Sequence, residues 1–413
     1  MPRVLLLLPT STYRASDFLA AAAALRVDVT VASEKPSTLE RSQPDALLTL
    51  DFHDASACAR AVAEFARRVP IHGVVAVDDE TAVAASAIQS ALGLPGNPPE
   101  AAAAARNKVL LRRKLEEAGV PTPRHRVFPL DSDFGKIAGT LPYPCVAKPT
   151  FLAGSRGVIR ADDPAGLIAA AGRIARILRD PEVARQGGDA AREILVEEFV
   201  AGDELAVEGL LEKGSLRVLA IFDKPDPLDG PYFEETIYVT PSRRDPTAQD
   251  AIRDAVARGA RALGLAEGPV HAEVRQGGGT TWLIELAARS IGGLCSRSLR
   301  FGTGMTLEEI VLRNALRLPL PAADREAAAS GVMMIPIPRA GVLESFRGTE
   351  AARAVPDIVD VAITARPGQR LVPLPEGSRY LGFLFSRAAT PERAEAALRE
   401  AHARLELEIR EEA

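Results

Sequence analysis

The stretch His271-Ala272-Glu273-Val274-Arg275-Gln276-Gly277-Gly278-Gly279-Thr280-Thr281-Trp282-Leu283-Ile284-Glu285-Leu286-Ala287-Ala288-Arg289-Ser290-Ile291-Gly292-Gly293 decides how the rest of the chain is read. Two alternating segments flank a glycine-rich turn, which is the pattern of a β-hairpin. A hairpin centred on Gly279 sets Glu273 directly opposite Glu285 on one face. Like charges at such a cross-strand pair are destabilising unless something neutralises them. A divalent cation does so best, because hard cations such as Mg²⁺ or Mn²⁺ prefer carboxylate oxygens and keep positions open for phosphate. Arg289 shares the parity of Glu285, so a continuing strand carries it onto the same face. Two acids and a guanidinium there make a site for handling phosphoryl charge.

Size and composition bound what can surround this hairpin. At 413 residues the chain is too long for one ordinary core, and roughly two to four domains are expected. A hydrophobic content of 47% with 25% charged residues is that of a globular protein, not a disordered one. The apolar run Val4 to Leu8 is too short for a signal-peptide core or a membrane span, so a cytoplasmic protein without membrane contact is expected. Cys58, Cys145 and Cys295 are too far apart for a disulfide framework or a metal knuckle. A net charge of -5 argues against a nucleic-acid partner, whose footprint is basic. Small-molecule substrates are the default. Only seven of the fifty Lys plus Arg residues are lysines, which singles out each lysine for inspection; a lysine that reaches phosphate as a point charge is not freely exchanged for arginine.

Along the chain, Val4 to Leu8, Val27 to Val31 and Gly73 to Val77 read as strands. Ser16 to Leu25, Ala57 to Arg68 and Thr81 to Leu92 read as helices between and after them. That alternation predicts a doubly wound parallel sheet. The first strand is followed by Pro-Thr-Ser-Thr-Tyr, so neither a dinucleotide fingerprint nor a Walker phosphate loop is present. Asp78-Asp79-Glu80 follows the third of these strands, where acids cap the next helix or face a substrate. Leu94 to Pro99 marks a boundary, and Glu100 to Ala118 reads as one helix ending at Gly119. Strands follow at Tyr143 to Lys148, Gly157 to Arg160, Ile194 to Phe199, Glu204 to Leu211 and Leu216 to Phe222, with a helix at Leu167 to Leu178. Beyond about Pro319 a further unit has strands near Val332 to Ile337, Ile358 to Ala365 and Tyr380 to Ser386, and a helix from Pro391 to Leu405.

Lys148 ends an apolar strand and is followed by a loop containing Gly154, Ser155 and Gly157. Glycines let backbone N–H groups approach anionic oxygens, and a lysine at the loop base adds charge without geometric demands. Glu197 and Glu204 bracket a short apolar stretch, a spacing that lets one acid accept from an adenine amino group and the other from ribose hydroxyls. A solvated strand end explains each feature equally well when taken alone.

Taken in order, the segment from Lys108 to Arg289 resembles the ATP-grasp superfamily of carboxylate-amine ligases. The matching pieces are Asn107-Lys108 with Leu115 to Pro123, Val146 to Pro149, Glu197 to Glu204, Glu273, and Glu285 to Arg289. The resemblance implies an ATP-grasp architecture with an amino-terminal α/β domain (1–97), a two-lobed nucleotide-binding region (98–317, lid about 140–200) and a carboxy-terminal α+β domain (318–413). It implies that Lys108 and Lys148 contact ATP phosphates, that Glu197 and the backbone from Glu198 to Val200 hold adenine, and that Glu204 binds ribose. It also implies that Glu273 and Glu285 carry Mg²⁺ or Mn²⁺ and that Arg289 steadies an acyl phosphate and its tetrahedral adduct.

The metal strand of the superfamily reads Glu-x-Asn-x-Arg, whereas this chain has Ala287 at the asparagine position, so a second metal lacks one ligand. Ser290 to Gly293 does not match the Gln-Val-Glu-His of biotin carboxylases. The Arg-x-x-Gly-Gly ending and Gly230 to Glu235 look like the L-amino-acid ligase branch, in which an acid meets the substrate amino group. That implies Glu235, or Glu234 in its place, with His271, Gly292 and Gly293 beside the substrate. His271-Ala272-Glu273 is no zinc deaminase motif, since no Pro-Cys-x-x-Cys follows. The expected function is ATP-dependent amide formation between a small-molecule carboxylate and an amine, releasing ADP and phosphate. A homodimer is compatible with this reading. Another ATP-grasp chemistry, or ATP binding without turnover, is the alternative.

Overall fold

Residues 4–7 are apolar on both faces because both faces are covered. In the computed structural model, which describes residues 1–321 and 323–411, Leu5 and Leu7 pack into one core cluster and Val4 and Leu6 into another. A continuous apolar run is what a central parallel strand requires. The strands Arg3–Leu7, Asp28–Ser33, Leu47–Thr49 and Gly73–Ala76 form this parallel sheet in the spatial order third, second, first, fourth. The order reverses between the first and fourth strands. Ligands of open α/β sheets bind outside the carboxyl ends at such a reversal, and Thr10, Glu34, His53 and Asp78, which follow the four strands, all line the main cavity.

The expected helix from Glu100 to Ala118 is two helices, Pro99–Arg106 and Lys108–Glu117. Asn107 adopts an extended conformation, and its side chain accepts from the N–H groups of Val109 and Leu110. A short amide that caps the backbone competes with helix continuation. The break matters because it turns Lys108 toward the next lobe, where its N–H donates to Thr150 O at 2.8 Å.

That lobe is an antiparallel four-stranded sheet of His125–Pro129, Glu193–Glu198, Cys145–Pro149 and Ile159–Ala161, in that spatial order. The helix Pro164–Leu178 covers it with Leu167, Ile174 and Leu178 fully buried. The main body is an eight-stranded antiparallel sheet. Its spatial order is Thr280–Ala287, Gly268–Gly277, Asp203–Glu212, Ser215–Asp223, Ile237–Thr240, Ala329–Ile335, Gly382–Ala388 and Ile358–Ile363. The last three strands come from the carboxy-terminal segment, so the boundary expected near Pro319 does not divide the sheet. A separate three-stranded sheet joins Arg370–Leu371, Gly341–Arg347 and Glu406–Arg410.

The hairpin forms, with a detail that the glycines alone do not reveal. Gly277 pairs with Thr280, so the turn is the two residues Gly278 and Gly279, both at positive φ as a twisted two-residue hairpin turn requires. The turn is therefore centred half a residue before Gly279. Continued regularly, that register would pair Glu273 with Ile284. Instead Val274 pairs with Leu283 and Glu273 with Glu285, leaving Ile284 as a β-bulge. The bulge resets the alternation: Leu283 and Leu286 both enter the core under the helix Pro246–Leu263, while Ile284 and Glu285 both face the cavity. Without it Glu285 would point into that core.

Candidate active site

A cavity of about 880 Å³ lies where the amino-terminal sheet, the four-stranded lobe and the central sheet meet. Of the residues expected at the site, fifteen line it: Arg289, Lys108, Lys148, Gly154, Ser155, Glu197, Glu198, Val200, Glu204, Glu235, His271, Glu273, Glu285, Gly292 and Gly293. Gly157 does not. Its N–H donates to Pro375 O at 2.8 Å, so it cannot serve an anion in this conformation. Beside it Arg156 Nε donates to Glu376 O, and Arg173 forks onto the Glu376 carboxylate at 2.8 Å on both oxygens. The glycine loop is thus fastened to the carboxy-terminal segment.

The two acids expected to hold adenine and ribose are engaged by protein cations. Glu197 is buried, accepts from Arg112 Nε at 2.7 Å and Nη2 at 3.3 Å, and pairs with Lys148. It balances two buried cations instead of standing open to an adenine amino group. Glu204 accepts from Lys224 Nζ and from Arg275 Nε, each at 2.8 Å, and Arg275 Nη1 also donates to Val200 O. Burial alone would raise the Glu204 carboxyl, but Lys224 and Arg275 outweigh it and hold it below the usual range.

Lys224 is the main addition to the expected site. It directly follows the strand Ser215–Asp223 and inserts its ammonium among Glu204, Glu235 and Glu273, the last at 3.7 Å. The Tyr238 ring lies beneath it at 5.1 Å. Burial disfavours the ammonium, yet the carboxylates prevail and raise its pKa well above the usual value. Glu273 moves the other way for an acid: burial, with Glu235, Glu285 and Glu204 nearby, raises its carboxyl well above the usual range despite Lys224. Carboxylate oxygens of Glu204, Glu235 and Glu273 lie within 4.8 Å of one another. Glu285 faces Lys108 Nζ at 3.6 Å, and the same ammonium donates to Leu152 O at 2.7 Å. An excess of carboxylate around Glu273 and Glu285 is a donor set that a hard divalent cation fits, while Ala287 contributes no ligand atom.

Arg289 is fixed from the amino-terminal sheet. Its Nη2 lies 2.6 Å from Asp79 Oδ2 and its Nη1 donates to Ser290 O. Burial opposes the guanidinium, but Asp79 wins and raises its pKa. The acids after the fourth strand do not cap the next helix through their side chains: Asp78 makes no side-chain cap, and Asp79 is spent on Arg289. Below the loop, Arg14 donates to Ser290 Oγ at 2.8 Å and pairs with Glu308, while Glu208 accepts from Ile291 N–H at 3.0 Å and contacts His271 Nδ1 at 3.1 Å. Lys224, Arg275 and Glu208 were not singled out from the sequence, and Asp79 was read only as one of three acids that cap a helix or face a substrate. Lys224 had a weak signal as one of the seven lysines; Arg275 and Glu208 had none.

Comparison with known proteins bears on the domains that carry this cavity. Family models match residues 19–96 as an ATP-grasp N-terminal domain, 141–298 as an ATP-grasp domain and 333–410 as L-amino acid ligase C-terminal domain 2. The L-amino acid ligase of Bacillus licheniformis superposes with a TM-score of 0.80 at 26% identity, covering 99% of each chain. The chain belongs to the ATP-grasp superfamily of carboxylate-amine ligases. Within the superfamily, an alanine–anticapsin ligase of Bacillus subtilis is 28% identical over 54% of this chain and 49% of its own length. An uncharacterised Sinorhizobium fredii protein, y4rH, is 24% identical over 96% of this chain and 80% of its own. The chain thus spans about half the length of the former relative and most of the latter. The parallel amino-terminal sheet and the antiparallel sheets are those expected of an ATP-grasp protein, with amino-acid ligases among its relatives. Among the described residues, no helix is long and apolar enough to cross a membrane.

Proposed function

We propose that this ATP-grasp protein joins a carboxylate, an amino acid, to an amine, with ATP converted to ADP and phosphate. The observation that carries the reading is the convergence of Lys108, Lys148, Glu273, Glu285 and Arg289 on one cavity that also contains Glu235. A substrate carboxylate oxygen attacks the γ-phosphorus and ADP leaves. The amine nitrogen then attacks the acyl carbon, the C–O bond to phosphate breaks, and the proton of the amine passes to solvent. Lys108 and Lys148 bind the phosphates, and Arg289 meets the charge that grows on the acyl oxygens. Glu235 holds the substrate ammonium in exchange for Lys224. Glu273 and Glu285 would hold the divalent cation, which supplies neutralising charge for the phosphates when bound. The loop fastened to Pro375 and Glu376 keeps water from the acyl phosphate.

Release of phosphate from Mg²⁺-ATP, tested against a panel of amino acids and other carboxylates combined with amines, checks the reading. Dependence on one carboxylate and one amine is expected. ATP binding without release across the whole panel would overturn it.

A further inference from the structure

Arg14 stands where an arginine is least expected. It occupies the cap position of the helix Ala15–Leu25 and makes no side-chain bond to that helix. Cap positions favour short side chains that carry an oxygen, and a cation there meets the positive end of the helix dipole. The side chain is also completely buried, which is costly for a charge unless partners surround it. A residue that breaks two local rules is held for something non-local.

Its partners lie on both sides of the seam between the amino-terminal and central sheets. Nη2 donates to Ser290 Oγ at 2.8 Å and to Glu308 Oε1 at 3.2 Å, while Nη1 donates to Val77 O at 3.2 Å and approaches Ser290 O at 3.4 Å. The Phe18 ring lies under the guanidinium at 5.0 Å. Glu308 balances the charge, but it does not account for the other three contacts. Those go to the residue after Arg289 and to the residue two before Asp79, so one planar fork grips the chain beside each member of the Arg289–Asp79 pair. The Ser290 carbonyl is shared, because Arg289 Nη1 also donates to it, at 3.1 Å. The next residue, Ile291, is tied through its N–H to Glu208 at 3.0 Å. Arg289 and Asp79 line the cavity, whereas neither Arg14 nor Ser290 does. Arg14 therefore acts from beneath, without touching a bound substrate.

We propose that Arg14 is a positioning residue for the ligation step, fixing the backbone on both sides of the seam so that Arg289 and Asp79 meet in one orientation. The inference rests on the ligase reading for what Arg289 does, and goes beyond it by assigning the aim of that guanidinium to a residue outside the cavity. A planar fork holds its acceptors at set distances and angles, which a flexible ammonium does not. The precision matters, since misplacing a reacting group by about 1 Å costs about 100-fold in rate.

The test separates the fork from the charge. Arg14→Lys keeps a buried cation for Glu308 but loses the planar grip on Val77 and Ser290. Its kcat is expected to fall by about tenfold or more while KM for ATP moves less than about twofold. Glu308→Gln removes the ion pair and leaves the fork on Val77 and Ser290; its melting temperature is expected to fall while kcat stays within about twofold. A merely structural Arg14 would give a loss of stability in both variants and a loss of kcat in neither. Unchanged kcat in Arg14→Lys, or an equal loss of kcat in Glu308→Gln, overturns the proposal. Should Arg14→Lys not fold, Ser290→Ala takes its place: it removes one acceptor of the fork and is expected to lower kcat by about threefold or more, and no loss overturns the proposal. Should no pair of substrates support turnover, the ligase reading fails separately. The positioning role is then read from crystal structures of the wild type and Arg14→Lys or, should that variant not fold, Ser290→Ala, in which the Arg289–Asp79 contact is expected to lengthen from 2.6 Å in the variant; an unchanged contact overturns it.

Discussion

Arg289 and Asp79 meet across the seam between the central and amino-terminal sheets, Nη2 to Oδ2 at 2.6 Å, although 210 positions separate them in the chain. The guanidinium that we propose meets the reacting groups is therefore aimed by a different lobe from the one that carries it. Asp79→Asn keeps the shape and removes the charge. It is expected to lower kcat by about tenfold or more, less than the loss of a donor that itself touches the transferring group. KM for ATP is expected to hold steady. Steady-state ADP release measures both, and an unchanged kcat would show that Arg289 needs no such guide.

Glu285→Gln addresses the metal assignment. Losing a partner that merely supports a metal ligand costs about 10- to 100-fold, so losing a ligand is expected to cost at least about 100-fold in turnover at fixed Mg²⁺. Part of the loss should return as Mg²⁺ is raised. Full activity with the same Mg²⁺ dependence as wild type would remove Glu285 from the metal site.

Lys224→Met leaves Glu204, Glu235 and Glu273 without their shared ammonium. Breaking a buried ion pair by removing one partner costs about 3–5 kcal/mol, and a clear fall in melting temperature is expected. The stability of the variant is then expected to depend on divalent cations far more than that of the wild type, because a cation can take the vacated position. Thermal melts with and without Mg²⁺ decide it, and melting curves that match the wild type under both conditions would contradict the burial argument.

Cys295 gives a pH dependence whose sign is fixed. Burial, helped by Glu235, raises its thiol from 9.0 to about 12. The unfolded chain loses this proton first, so the contribution is complete below pH 9 and is lost as pH rises toward 12. The slope is about 1.4 kcal/mol per pH unit in that window. Cys295→Ala is expected to flatten alkaline denaturation between those limits. Equal slopes would refute it. Since Cys58 and Cys145 are also buried and each raised to about 11, a thiol reagent at pH 8 is expected to label none of the three before unfolding.

The parts of the fold that were legible are those written locally. Val4 to Leu7 could be read as a strand covered on both faces, and the three glycines with their flanking alternation identified the hairpin. The helix Pro246–Leu263 was equally legible and was overlooked: Asp245 caps it, Pro246 opens it and Gly264 ends it in a left-handed turn. What could not be read locally depends on sheet order. Glu204 and Glu273 share Lys224 only because the strand Asp203–Glu212 lies between Ser215–Asp223 and Gly268–Gly277. Arg112 reaches Glu197 across two lobes, so no spacing announces that this acid already has cations. Gly157 looked like its neighbours Gly154 and Ser155, and only the position of Pro375 sets it apart.

The unpaired Ile284 makes the hairpin unequal in the length changes it can absorb. Deleting that residue would join Leu283 to Glu285 in ordinary alternation, keeping Leu283 inward and Glu285 outward and costing the cavity one apolar wall. Inserting or deleting a residue between Thr280 and Leu283 would instead invert either the packing residues or the acid. Within this strand, chain length is free to drift at one position alone, and that position sits next to the carboxylate whose direction it sets.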